Sequence, residues 1–188
     1  MFLATTDEAN ALLRDEPLAV LIGMLLDQQI PMEKAFTSPA VLKERMGGTL
    51  DASAIAATDP DTLEELFRRP PALHRFPAAM AKRVQELARV LVDEYGGRAE
   101  NVWQDAGSGA ELVRRVGTLP GFGPQKARIF TALLGKQFGV QPDGWRAAAG
   151  DYGEDGATRS VADVVDAESL KQVRAYKQQV KAAAKAKG

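Results

Sequence analysis

A chain of 188 residues with 45% hydrophobic and 26% charged side chains has the make-up of an ordinary globular protein, long enough for one compact domain or two small lobes sharing a core. No run approaches about 18 consecutive apolar residues, which excludes a membrane-spanning helix. The absence of cysteine excludes disulfides, thiolate zinc sites and cysteine-held iron–sulfur clusters.

With His74 the single histidine, no metal site built from side chains is expected. The opening residues carry no basic stretch followed by a long apolar run, so no secretory leader is expected and the predicted location is the cytoplasm. Net charge is −1, yet residues 171–188 hold six basic side chains and no acidic one, which leaves residues 1–170 at −7.

Taken in chain order, apolar residues recur at helical spacing in Ala9–Leu13, Leu18–Leu26, Ala40–Met46, Leu63–Phe67, Ala79–Val92, Ala110–Val116, Gln125–Phe138 and Leu170–Ala184. Thr5, Thr6 and Asp7 can each cap the first helix, and Thr58-Asp59-Pro60-Asp61 opens a later one. Pro17, Gly47-Gly48, Pro70-Pro71, Pro77, Gly96-Gly97 and Gly121 interrupt the pattern. No segment alternates as a strand does, so the prediction is all-α. His74, in a proline-rich stretch, is expected to be an ordinary, partly exposed residue. Gly139–Arg159, rich in Gly and Asp, is expected to be an irregular loop. The basic segment 169–188 reads as a closing helix, either an arm that touches phosphate or a solvated tail.

The most informative stretch is Leu119-Pro120-Gly121-Phe122-Gly123-Pro124-Gln125-Lys126-Ala127. Two glycines around one apolar residue permit a tight turn with positive φ and leave backbone N–H groups uncovered where the next helix begins. Unpaired amides and the helix dipole together favour phosphate there. Phe122 would plug the turn into the core, Ala127 would let two helices approach closely, and Pro124 suits the first helical turn. The prediction is a helix-hairpin-helix over about Val113–Phe130, with a plain helical hairpin as the alternative.

These residues resemble the helix-hairpin-helix (HhH-GPD) superfamily of base-excision DNA glycosylases. That family places a required Asp about twenty positions after the second hairpin glycine, and the twentieth residue after Gly123 is Asp143. Leu21–Ile30, with Asp27-Gln28-Gln29, is similar to the family's early helix and its Gln-containing turn, and Met80–Gly97 to the helix before the hairpin; together the resemblance covers residues 18–145. It implies one two-lobed domain over 1–188, with Asp143 across the cleft from Gln29. It also implies double-stranded DNA as partner, contacted by Gln28, Gln29, Gly121, Phe122, Gly123, Gln125 and Lys126, and leaves open a monovalent cation on the hairpin carbonyls. No other cofactor is expected. Where bifunctional members carry a lysine, two positions after the second glycine, this chain has Gln125; Lys126 is turned about 100° away by helical geometry.

The implied chemistry is removal of a base flipped out of the duplex, with Gln29 filling the gap and Gln28 beside it. Asp143 would stabilise the positive charge that grows on the sugar or deprotonate the attacking water. Pro-Asp-Gly is equally a common turn, and Asp151 is the alternative carboxylate. Lys82 and Arg83 could touch the DNA backbone. Trp145 and Tyr152, with Trp103 behind them, could stack on a flipped base or simply fill the core. Without an amine at position 125 no Schiff base forms, so a monofunctional enzyme is expected, acting as a monomer, with alkylated purines the favoured substrates. The alternative is a non-catalytic DNA-binding protein that keeps the fold.

Overall fold

The structure is a computed structural model that describes residues 1–186; Lys187 and Gly188 of the expected basic helix lie outside the described residues. Among the described residues there are ten α-helices and no strand, the all-α architecture that the periodicity predicts.

The first lobe is built on α2 (Pro17–Leu26), whose residues from Leu18 to Leu26 are all buried, as befits a helix that is apolar on every side. Gly23 lets α3 (Met32–Arg45) close onto it, since a Cβ there would lie 2.6 Å from the Phe36 ring. Around this pair lie α1 (Asp7–Asp15), capped by Thr6, and α4 (Ala52–Ala57), α5 (Pro60–Arg68) and α6 (Pro77–Tyr95), with α4 and α5 packed against α6. Asp51 and Asp59 cap α4 and α5 by accepting the amides of Ala54 and Thr62, each cap contributing about 1 kcal/mol.

The second lobe packs α7 (Gly109–Gly117), α8 (Pro124–Gln137) and α9 (Trp145–Ala149) together, followed by a 3₁₀ turn over Gly150–Gly153 and the long α10 (Ala167–Ala186). One continuous apolar cluster runs from Leu3 to Val173 through both lobes.

Two departures from the periodic reading have clear causes. Helix α3 starts at Met32 and runs through Pro39 rather than starting after it. The hydroxyls of Thr37 and Ser38 bond back to the carbonyls of Glu33 and Lys34, and burial of Ala35 and Phe36 outweighs the donor that Pro39 lacks. The stretch 139–159 is irregular except over Trp145–Gly153, where burial of Trp145 and Ala149 on one side forms the short α9 and the 3₁₀ turn. Too few apolar residues lie there to show a period.

Candidate nucleic-acid interface

The chain leaves α7 at Gly117 and re-enters a helix at Pro124, so α7, the turn and α8 form the helix-hairpin-helix. Leu119 and Phe122 are buried. The Phe122 amide donates to the Leu119 carbonyl at 3.0 Å, and its ring meets Phe130 edge-on at 5.8 Å. Phe122 is thus the plug, facing the core rather than DNA. The two helices touch where a Cβ on Gly117 would lie 3.8 Å from that of Ala127.

The two hairpin glycines differ. Gly121 has φ of +85° and sits on Leu25, which a Cβ would approach to 3.1 Å. Gly123 has φ of −84°, so positive φ is needed at one glycine and not at both. A Cβ on Gly123 would meet nothing within 4 Å, so this glycine keeps the outer face of the turn open. No side chain caps α8, which leaves the amides of Gln125 and Lys126 without intrahelical partners. They form the donor set expected of a phosphate grip.

The end of α2 stands beside this turn. Lys126 turns inward, donating from Nζ to the Leu25 carbonyl at 3.1 Å, and Gln28 Nε2 donates to the same carbonyl at 2.9 Å. One carbonyl therefore lashes the hairpin helix to the Gln28-Gln29 turn. Burial pushes the Lys126 ammonium below the ordinary lysine range, against the pull of Asp27 and with a further push from Arg83. Burial likewise pushes the Asp27 carboxyl up, with Lys177 and then Lys126 holding it back and Glu33 raising it further. Gln29 is exposed and has φ of +58°, the one non-glycine with positive φ among the described residues. That conformation costs on the order of 1–2 kcal/mol. The left-handed backbone thus presents an exposed side chain at the end of α2.

What holds the turn is a residue that sequence reading undervalued. His74 is fully buried, not partly exposed. The Phe76 amide donates to its Nδ1 at 3.0 Å, and its Nε2 lies 2.9 Å from the Gln28 carbonyl. Because an amide can only donate and a carbonyl only accept, the ring is neutral with the proton on Nε2. Burial pushes its pKa below the ordinary value, opposed by the carbonyls of Gln28 and Leu26. Arg83, on α6, adds a contact at 3.4 Å to Gln28 Oε1, whereas Lys82 is exposed and faces Glu86 at 4.0 Å. Nothing local in Ala72-Leu73-His74-Arg75 signals this role, which depends on a partner 46 positions away.

On the other side of the hairpin, Gln125 Nε2 donates to the Tyr152 hydroxyl at 2.8 Å. The two residues border a cleft of about 410 Å³ that also takes in Arg128, Asp151, Arg159 and Tyr176. Asp151 pairs with Arg159 at 3.1 Å, and Arg159 reaches Glu154 at 3.2 Å.

Asp143 and Trp145 are placed elsewhere. Asp143 is exposed, and its carbonyl accepts the Gly109 amide at 2.8 Å. Gly109 opens α7 whereas the hairpin follows its other end, so Asp143 is separated from the hairpin by the length of that nine-residue helix, about 13 Å. It therefore lies at the far end of α7 from the hairpin turn. Trp145 is buried on Gly135, where a Cβ would lie 2.4 Å from its ring, with the Arg146 guanidinium 4.5 Å above it. Trp103 is a core residue, edge-on to Phe130 at 5.7 Å. Of the expected site residues, the structure brings together Gln28, Gln29, Gly121, Gly123, Gln125, Lys126, Asp151 and Tyr152.

Among the described residues no group of three or more His, Cys, Asp or Glu side chains is arranged to hold a metal ion, and no helix is long and apolar enough to cross a membrane. The hairpin, the glutamine turn lashed to it and the helical lobes on either side define an all-α helix-hairpin-helix domain. The sequence matches the family model described as HhH-GPD superfamily base excision DNA repair protein over residues 22–187, and the chain belongs to that family. No curated protein matches it. HhH-GPD proteins are in general DNA glycosylases and bind DNA.

Proposed function

We propose that the protein is a monofunctional DNA glycosylase that acts as a monomer, releases a flipped, damaged base into the cleft beside the hairpin and leaves the strand intact. The observation that carries this reading is the Gln125–Tyr152 hydrogen bond. It brings Tyr152 and the neighbouring Asp151 to the uncapped start of α8, where the backbone of the damaged nucleotide would be gripped. Asp151 then supplies the negative charge that stabilises the oxocarbenium-like sugar or draws the proton from the attacking water. Gln125 has no nucleophilic nitrogen, and the adjacent amine, that of Lys126, is committed to Leu25, so no imine forms at the hairpin.

Tyr152 and Tyr176 line the cleft and supply aromatic surface for the base. An alkylated, electron-poor purine suits such a cleft because its glycosidic bond is already weakened and asks for little proton donation. The carbonyls of Pro120, Gly121 and Phe122 accept no hydrogen bond within the described residues. They fit a monovalent cation that would neutralise part of the charge of the gripped phosphate.

The test is a panel of duplexes, each with one lesion, assayed for abasic sites before and after alkali. Strand breaks are expected only after alkali. Asp151→Asn should slow base release about a hundredfold, equivalent to roughly 3 kcal/mol of barrier, with duplex binding kept, while Asp143→Asn should have no effect. A protein–DNA adduct trapped by borohydride would overturn the monofunctional reading. A non-catalytic DNA-binding protein is the second reading, favoured by the Asp151–Arg159 ion pair; binding to every duplex without release from any would establish it.

A further inference from the structure

Helix α10 is anchored at one end only. Leu170 and Val173 are buried, Arg174 pairs with Glu33 of α3, Tyr176 borders the hairpin cleft, and Lys177 is close enough to Asp27 to favour its carboxylate. The helix therefore crosses the mouth formed by the hairpin and the Gln28-Gln29 turn. Beyond it, every residue from Lys177 to Ala186 is exposed, in the sequence Lys-Gln-Gln-Val-Lys-Ala-Ala-Ala-Lys-Ala. At about 100° per residue, Arg174, Lys177, Lys181 and Lys185 fall within an arc of about 80° and along about 16 Å of axis. They make one basic stripe. Val180 is the one large apolar residue on this segment, so the helix offers no anchor for a protein groove and no apolar face for a bilayer.

We propose that this stripe is an arm that tracks the phosphates of the same duplex beyond the hairpin, lengthening the footprint without reading sequence. The inference rests on the protein being a duplex-binding repair enzyme. Charge complementarity identifies the occupant. Residues 1–170 carry −7, so the body as a whole is repelled by DNA, and attraction must come from local basic features. One strand presents a phosphate about every 3.4 Å of axis, so lysines one helical turn apart, at about 6 Å, meet every second phosphate. Backbone contacts of this kind position a protein without specifying bases, which suits a search for rare damage in any sequence.

The experiment compares the full chain with Lys181→Gln/Lys185→Gln, a change that removes the charge and keeps helix propensity. Binding to an undamaged duplex is followed from about 50 to 200 mM salt. The plot of log affinity against log salt should flatten by about 2 in the double variant, since each phosphate contact contributes about 0.9 to the slope. Lys181→Arg/Lys185→Arg should keep the slope of the full chain. Equal slopes for the full chain and the Gln variant would overturn the arm and leave the glycosylase reading intact. Failure of the unaltered chain to bind any duplex at the lowest salt would overturn both. Vesicles rich in phosphatidylserine serve as the other polyanion: binding there that is lost in the Gln variant, with duplex slopes unchanged, would assign the stripe to a membrane surface instead.

Discussion

At the scale of single residues, His74 is the position whose chemistry can be isolated most cleanly, because the chain has no other histidine. Its neutral ring joins the Phe76 amide to the Gln28 carbonyl, so protonation would oppose a donor to a donor and loosen the turn that carries Gln29. Burial lowers its pKa in the folded state below the ordinary 6.5. The unfolded chain therefore binds the proton more readily, and stability is fully present above about pH 6.5 and lost as pH falls from there towards the folded value. Denaturant unfolding from pH 7.5 down to 5 should show the stability of the native protein falling faster than that of His74→Gln, by up to about 1.4 kcal/mol per pH unit. Parallel curves would show that His74 titrates alike in the folded and unfolded chains.

At the scale of elements, the hairpin divides its tasks between two glycines, and each can be tested separately. Gly121→Ala forces a side chain into left-handed backbone and against Leu25. It should lower stability by about 1–2 kcal/mol, seen as a lower unfolding midpoint. Gly123→Ala meets no neighbour and keeps an ordinary φ, so the midpoint should hold while the added methyl crowds the phosphate and weakens binding to every duplex alike. If Gly123→Ala binds DNA as the native chain does, the outer face of the turn is not the grip.

The same elements explain why the twenty residues from Gly123 to Asp143 end at the start of α7 and not at the hairpin turn. Helix α8 carries the chain over fourteen residues away from the hairpin, about 21 Å. An extended return at about 3.3 Å per residue would need only six or seven residues, which is what the spacing presumes. Here the chain turns at Gly139 and Gly144, both with positive φ, and returns through α9 and a 3₁₀ turn at about 1.5–2 Å per residue. The carboxylate that borders the cleft beside Gln125 is Asp151, eight positions later.

At the scale of the whole molecule, that returning segment is held by a lock far from the hairpin turn. Trp145 fills the space over Gly135, and Gly109 is pressed so closely on the start of α9 that a Cβ would lie 2.4 Å from the Trp145 Cα. Trp145→Ala should cost about 3–5 kcal/mol of stability, measured by denaturant unfolding. Base release per folded molecule should persist at low temperature, because the ring lies away from the cleft. Lost release with unchanged stability would instead make Trp145 part of the base pocket.

Sequence alone determined what depends on neighbours along the chain. Helical period, caps such as Thr6 and Asp59, and the Leu-Pro-Gly-Phe-Gly-Pro turn all act within a few residues, so the all-α fold and the hairpin were legible before any coordinates. Tertiary structure alone decided what depends on distant partners. His74 became a buried clamp through a carbonyl in another turn, Lys126 was drawn inward by Leu25, and Tyr152 arrived beside Gln125. The reason is physical: residue type and spacing specify local backbone, whereas the side of the molecule a carboxylate reaches depends on whether the intervening chain is extended or coiled. That choice was made by the packing of Trp145 and Ala149 in the core.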